Sequence, residues 1–410
     1  MANSNIAVVN PLWINAMNPS SYTSITKPTF NFDIKDEFLS LTSGNTTQGS
    51  NAFSIQNFSF AFPIINNSKK FKRRMGFSFG LAPYTTSGYE LFFSEDVPDL
   101  GEVEYHFFGE GGINKLNGGL GYDLFANKKR TDVLSIGVNG QYIFGNISRN
   151  RATQLERAAL GSSLYRTSSI EISDIGVNAG IRYYHTDTIK RRIVLSDSTI
   201  RSEDVLIMAS VGAFIEPSMS LNTSARQVEY TYTDSFQRPN IIDTIIEASS
   251  RGETNIPLAF GVGLSLNIDN AWTLALDYRL TQWSTLVING TNAGLNDASR
   301  VSLGADWVPE FDKRGRGNYH KVIRYRLGGS LEQTMLNVGG LRPLRYGINF
   351  GLGFPLSAAS ASTSMFNIGA EVARRQTEGL SLNENIVNIH AGFIITPHRY
   401  DQWFAKRKYD

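Results

Sequence analysis

The feature that most restricts this chain is its hydrophobic rhythm. Apolar residues recur at every second position over stretches of about ten residues, and nowhere do they run together for the ~18 a membrane-spanning helix needs. In 258–268, Leu258, Phe260, Val262, Leu264, Leu266 and Ile268 share one face, while Ala259, Gly261, Gly263, Ser265 and Asn267 share the other. After the turn signal Asp269-Asn270, Trp272, Leu274, Leu276, Tyr278 and Leu280 oppose Thr273, Ala275, Asp277, Arg279 and Thr281. The same pattern sets Ile136, Val138, Tyr142 and Phe144 against Asn139 and Gln141, and Tyr346, Ile348 and Phe350 against Gly347, Asn349 and Gly351. A soluble sandwich also alternates, but places its small residues less regularly on one face. An apolar outer face and a small or polar inner face are what a transmembrane β-barrel requires.

Fourteen such segments can be counted, near 29–41, 51–64, 72–84, 103–126, 132–147, 169–185, 204–217, 256–268, 271–284, 299–309, 321–334, 342–356, 363–376 and 385–397. The expected fold is therefore an all-β, antiparallel 14-strand transmembrane barrel over residues 27–397. An even count puts both chain ends on one rim. Connections near 65–71, 127–131, 269–270, 310–320 and 357–362 are short, whereas 85–102, 148–168 and 218–255 read as long loops and 186–203 as one long exception. Because periplasmic turns are short, the termini are expected on the periplasmic side of a Gram-negative outer membrane. Charge points the same way. Lys69, Lys70, Lys72, Arg73, Arg74, Lys128, Lys129, Arg130, Lys190, Arg191, Arg192, Lys313, Arg314, Arg316, Lys321, Lys406, Arg407 and Lys408, 18 of the 39 basic residues, fall at that rim, where they would meet anionic head groups of lipid or detergent.

Composition closes off other classes. The 39 basic residues balance 37 acidic ones, which gives no electrostatic footprint for nucleic acid. With no cysteine there is no disulfide framework, Cys-zinc site or thiol nucleophile. His106, His185, His320, His390 and His398 show no metal-ligand spacing, so neither metal, cofactor nor catalysis is expected, and His390 reads as a lumen-lining polar residue. The start of the chain lacks the basic stretch and apolar core of a secretory signal, so a processed or trimmed form is expected.

Residues 1–26 do not alternate, yet Val8, Val9, Leu12, Trp13, Ile14 and Met17 are too apolar for a free tail, and the lumen is the natural place to bury them as a plug. The string Ile14-Asn15-Ala16-Met17-Asn18-Pro19-Ser20-Ser21-Tyr22 resembles the Asn-Pro-Ala stretch after the plug of the outer-membrane long-chain fatty-acid transporter (FadL-like) family. Gly80-Leu81-Ala82-Pro83-Tyr84 with Gly88-Tyr89, the 257–283 hairpin carrying Asp277 and Trp283, and the ending Trp403-Phe404-Ala405-Lys406-Arg407-Lys408 are similar too. Position 20 is Ser where that family has Ala, and 17 residues before the motif make a short plug. The likeness implies 14 strands, periplasmic termini, a plug using Trp13, Met17, Asn18, Pro19 and Ser20, and a short tail over 398–410. It also implies a kinked third strand acting as a lateral exit. Here Gly76 and Gly80 weaken the strand, and Pro83 has no N–H to give.

The segment 84–108 crowds Tyr84, Tyr89, Phe92, Phe93, Phe107 and Phe108 among acidic residues, and 152–164, with Leu155 and Leu160, is spaced for a short amphipathic helix. In the resembled family two external loops capture hydrophobic ligand. The leading expectation is therefore passive uptake of a hydrophobic small molecule such as a long-chain fatty acid. The alternative is a structural barrel that binds another outer-membrane protein. A side-chain-filled lumen with apolar external surfaces favours the alternative.

Overall fold

The structure, a computed structural model, describes all residues except 45, 67–72, 99–100, 156–161, 195–199, 236, 311–318, 357–363, 378, 380–381 and 397–410. The strands are β1 (Thr29–Ser43), β2 (Thr46–Ile65), β3 (Met75–Thr86), β4 (Tyr89–Val97), β5 (Gly101–Ala126), β6 (Asp132–Leu155), β7 (Ser163–Val194), β8 (Ile200–Glu216), β9 (Met219–Ser235) and β10 (Arg238–Ile256). They continue with β11 (Ala259–Ile268), β12 (Trp272–Thr281), β13 (Val287–Ile288), β14 (Thr291–Asn292), β15 (Ala298–Trp307), β16 (Arg324–Gln333), β17 (Leu344–Pro355), β18 (Met365–Gln376) and β19 (Leu382–Ile395).

Fourteen of these, β1, β2, β3, β5, β6, β7, β8, β11, β12 and β15 to β19, form an antiparallel ring that β1 and β19 close from Phe30↔Ile395 to Ser43↔Leu382. Closure pairs the backbone internally, which hydrocarbon demands. The alternation of the sequence becomes a lipid face and a lumen face. On β12, Trp272, Leu274, Leu276 and Tyr278 are exposed, and Thr273, Ala275 and Asp277 are buried. Trp272, Trp307 and Tyr325 stack side by side, with centroids 5.4 and 5.6 Å apart, at the rim where β1 starts and β19 ends. Such rings mark a membrane interface. Val138 and Leu264 lie in the apolar band, so Val138→Arg is expected to destabilise the folded barrel in lipid vesicles by about 2–4 kcal/mol, read from urea unfolding.

In their described parts, the segments read as long loops are mostly strand. β5, β6 and β7 have 26, 24 and 32 residues, against about 9–11 needed to span a bilayer. Beyond the far rim, β4, β5, β6, β7, β9 and β10 continue as one projecting sheet, with β9 on β7 from Ser163↔Tyr232 to Ile172↔Thr223. The helix expected over 152–164 is absent from its described part, because Ala152–Leu155 pair with Val103–His106 and extend β6; Ala158, Ala159 and Leu160 lie outside the described residues. Thr186–Val194 likewise pair with Ile200–Met208 as a β7–β8 hairpin at the terminal rim. Gly111 (φ +98°) and Gly145 (φ +146°) sit on adjacent strands where barrel becomes projection, in backbone only glycine adopts freely. There the buried side of β6 switches from odd positions (Asn139, Gln141, Ile143) to even ones (Asn150, Ala152).

Arg73, Arg74, Lys128, Lys129 and Arg130 lie at the terminal rim, opposite Glu95 and Glu102. Lys69, Lys70, Lys72, Lys313, Arg314, Arg316 and the 398–410 tail lie outside the described residues.

Candidate functional site

Residues 1–25 occupy the lumen. Pro19–Ser24 form a 3-10 turn in which every residue is buried, opened by Asn18, whose side chain accepts from the Ser20 N–H, with proline at the first helical position where no N–H is needed. Asn18 is the hub. Its Nδ2 donates to the Ile6 carbonyl at 2.8 Å and the Ile181 carbonyl at 3.3 Å, and its Oδ1 accepts from Ser20 Oγ at 2.6 Å. The serine at position 20 thus adds a bond that alanine would lack.

The wall holds this segment with Asn139, Asp277 and Arg279, which the alternation had put on the inner face, and with Arg182 and Asn178. Arg182, fully buried, donates to the Val8 carbonyl (3.0 Å), Ser24 Oγ (2.6 Å), the Ser20 carbonyl and Thr23 Oγ1 (both 3.4 Å). Asp277 accepts the backbone N–H groups of Asn5 (2.7 Å) and Ile6 (3.0 Å), and Arg279 lies 3.5 Å from the same carboxylate. Asn139 and Asn178 both donate to the Ala16 carbonyl, at 2.8 and 3.0 Å, and Tyr22 returns a bond to Asn139. Where no side chain reaches in, there is none at all. A Cβ on Gly76, Gly121, Gly137, Gly180, Gly212, Gly263, Gly304 or Gly328 would collide with the plug, so a girdle of glycines lets its backbone lie directly on the wall.

Above the plug, Ile113, Ile143, Ile172, Leu221 and Ile256 form a buried cluster with Tyr84, Ile147, Ile170 and Met219 packed on it. Tyr84 therefore belongs to an apolar cap inside the lumen; Lys115 stands 3.6 Å over its ring and pairs with Glu216.

The third strand shows a seam. β2 and β3 pair from Ile65↔Met75 to Phe58↔Leu81, and there pairing ends; Thr46–Asn57 continue on β1, and Ala82–Thr86 on β5. Pro83 lies two residues past the last pair, at a register shift, whereas Gly76 and Gly80 are within the paired part, Gly76 against Tyr22 and Gly80 against Ser59. Asn18, Pro19 and Ser20 face β5, β6 and β7. Behind the seam lies a cavity of 310 Å³, bordered by Asn15, Met17, Gln56, Ser59 and Ala82.

On the projecting sheet, Tyr89, Leu91, Phe92 and Phe93 of β4 are exposed. Phe93 stacks on Tyr105 at 4.6 Å, and Arg151 lies over Tyr105 and Phe107 at 5.8 and 5.2 Å. The other face carries a ladder through Phe92, His106, Phe108, Tyr165, Tyr230 and Tyr232. Leu155 pairs with Val103 beside it. Sequence reasoning found these aromatics but missed Arg182, whose signal was a lone cation between the outward Ile181 and Tyr183.

The fold has known counterparts. A Pseudomonas aeruginosa FadL homologue superposes with a TM-score of 0.57 over 95% of this chain and 96% of that one, at 13% identity. The P. putida toluene transporter TodX gives 0.50 over 93% of each, at 11%. At these identities the likeness is one of fold, and to that extent the resemblance read from the Asn18-Pro19-Ser20 stretch holds. No curated protein matches the sequence. The model of one family, BamG, matches residues 6–410, nearly the whole length of the chain, and to that family the chain belongs.

Proposed function

We propose that this chain is an outer-membrane barrel that works by binding another outer-membrane protein through its projecting sheet. The observation that carries this reading is the obstruction of the lumen along β5 to β12. A plug tied down by Arg182, Asp277 and Asn18 lies beneath a dry cap of isoleucines, so a solute crossing that side would have to displace both. Meanwhile the apolar side chains of Leu91, Phe92 and Phe93 stay exposed outside the apolar band, the mark of an interaction surface. A photo-reactive residue in place of Phe92 is expected to give one discrete protein adduct in intact cells, and one in place of Val138 none. Equal patterns from both sites would sink the idea.

A second reading, passive uptake of a hydrophobic small molecule such as a long-chain fatty acid, is supported by the seam and the cavity behind it. Ligand would leave sideways between β2 and β3 past Met17 and Pro83, captured first by Tyr89, Phe92, Phe93, Phe107 and Phe108. Joining Phe58→Cys to Leu81→Cys by a disulfide is expected to stop uptake of a labelled fatty acid into reconstituted vesicles. Undiminished uptake by the bridged barrel would remove this reading.

A further inference from the structure

The side of the lumen formed by β1 and β15 to β19 differs from the rest. The glycine girdle stops at Gly328 on β16, and beyond it the wall stands away from the plug, leaving a cavity of 750 Å³. Its lining alternates in charge. Arg345 lies 2.7 Å from Glu371 and 3.9 Å from Glu332, Arg300 lies 3.5 Å from Glu332, and Lys35 lies 2.9 Å from Glu37. These side chains keep between about a tenth and a third of their surface in contact with solvent, so they line a wet space. A barrel needing only a filled interior gains little from such pairs, since apolar residues of the same volume serve as well or better. Among the described residues of these strands that line the cavity, four buried polar atoms make no hydrogen bond within the protein: the donors Arg300 Nε and Arg375 Nε, and the acceptors Asn349 Oδ1 and Asn388 Oδ1. The wall thus offers donors and acceptors, cations and anions, at close intervals.

A second cavity, of 350 Å³, continues toward the terminal rim, sharing Asn3, Asp33, Asn57, Arg326 and Asn367 with the first and reaching Trp13 and Ile394. It ends on a small apolar contact. Leu12, Met365 and Ile394 are buried against one another with Trp13 packed on them, and Arg326 lies 5.5 Å over the Trp13 ring. The neighbouring Pro11 is exposed. Among the described residues, this contact stands between the charged cavity and the terminal rim.

We propose that the barrel contains a hydrophilic conduit, distinct from the projecting sheet and continuous with the space behind the seam through Asn3, Asp33 and Asn57, that accepts small zwitterionic solutes at its far rim and is held shut by Leu12, Trp13, Met365 and Ile394. A solute carrying both charges finds a counter-charge at each step along the wall, whereas an apolar one would have to strip water from guanidinium and carboxylate groups. A short apolar constriction closes such a path by excluding water, and adding charge or removing bulk there opens it.

The chain has no cysteine, so Met365→Cys gives a single thiol that can be charged after folding with a cationic methanethiosulfonate reagent. In planar bilayers in KCl, the Met365→Cys barrel is expected to stay closed until the reagent is added and then to conduct on the order of tenfold more. Leu12→Ala with Trp13→Ala should be open from the outset. In the opened barrel, Arg345→Glu should move selectivity toward potassium, and vesicles carrying it should swell in glycine. The proposal is overturned if the charged thiol, verified by mass, leaves conductance unchanged. It is equally overturned if the opened barrel ignores charge reversal at Arg345, which would put the current elsewhere, or excludes glycine.

Discussion

Gly180→Val is expected to expel the N-terminal segment from the lumen, while Gly118→Val leaves it in place. A Cβ at 180 would fall on the Asn18 carboxamide, 2.9 Å from its Cγ and 3.1 Å from Pro19 Cδ; one at 118 meets nothing within 4 Å. The wall cannot yield, because β7 is laddered to β6 and β8 on either side of Gly180. The plug must move instead: Asn18 then loses the Ile181 carbonyl, and the Ala16 carbonyl loses Asn139 and Asn178. At about 1 kcal/mol each these three plug-to-wall bonds amount to about 3 kcal/mol, or on the order of a hundredfold in the docked fraction. Protease attack and amide exchange within residues 1–25 of the reconstituted barrel report it. Equal protection in both variants would mean that the glycine girdle does not hold the plug.

Arg182→Met should release the same segment by a different route. The methionine fills much of the space but strands the Val8 carbonyl and the Ser24 hydroxyl, which Arg182 now satisfies at 3.0 and 2.6 Å. Bonds from a charged donor contribute about 1.5–3 kcal/mol each, so plug docking should weaken by at least about 3 kcal/mol. The ring itself rests on its backbone ladder, and its urea midpoint should change far less than that of plug release. A single cooperative transition displaced as a whole would show instead that plug and wall unfold together.

What could be read beforehand follows from how directly each feature is written in neighbouring residues. The lipid band and the ring of fourteen were legible because a side chain's face depends only on its parity, as in Trp272–Thr281. The projecting sheet was not. β4 and the outer part of β5 carry apolar residues on both faces, Phe92 and Phe93 adjacent to each other, so a helix or loop fitted the string as well as a strand did. The segment is made extended by the β4–β5 pairing together with that of Val103–Phe108 with Asn150–Leu155, and the latter spans up to about fifty positions. Asp277 was visible as an inner-face residue of a hairpin, but its partners, the amides of Asn5 and Ile6, are 272 and 271 residues away. Arg300, Glu332, Arg345 and Glu371 likewise looked like isolated charges on separate strands until closure brought them around one cavity.

That separation bears on the order in which the molecule is put together. The first six residues rest on Asp277, Gly304 and Gly328, which lie in the last third of the chain, so this segment is among the last to find its seat. Contacts so remote in sequence form slowly, because a long loop must close before they reward it. An unfinished ring therefore holds a loose, apolar leading segment, with Leu12 and Trp13 exposed until Met365 of β18 and Ile394 of β19 arrive. Docking of residues 1–6 thus doubles as a completion mark: it can occur only on a wall built at least as far as Gly328.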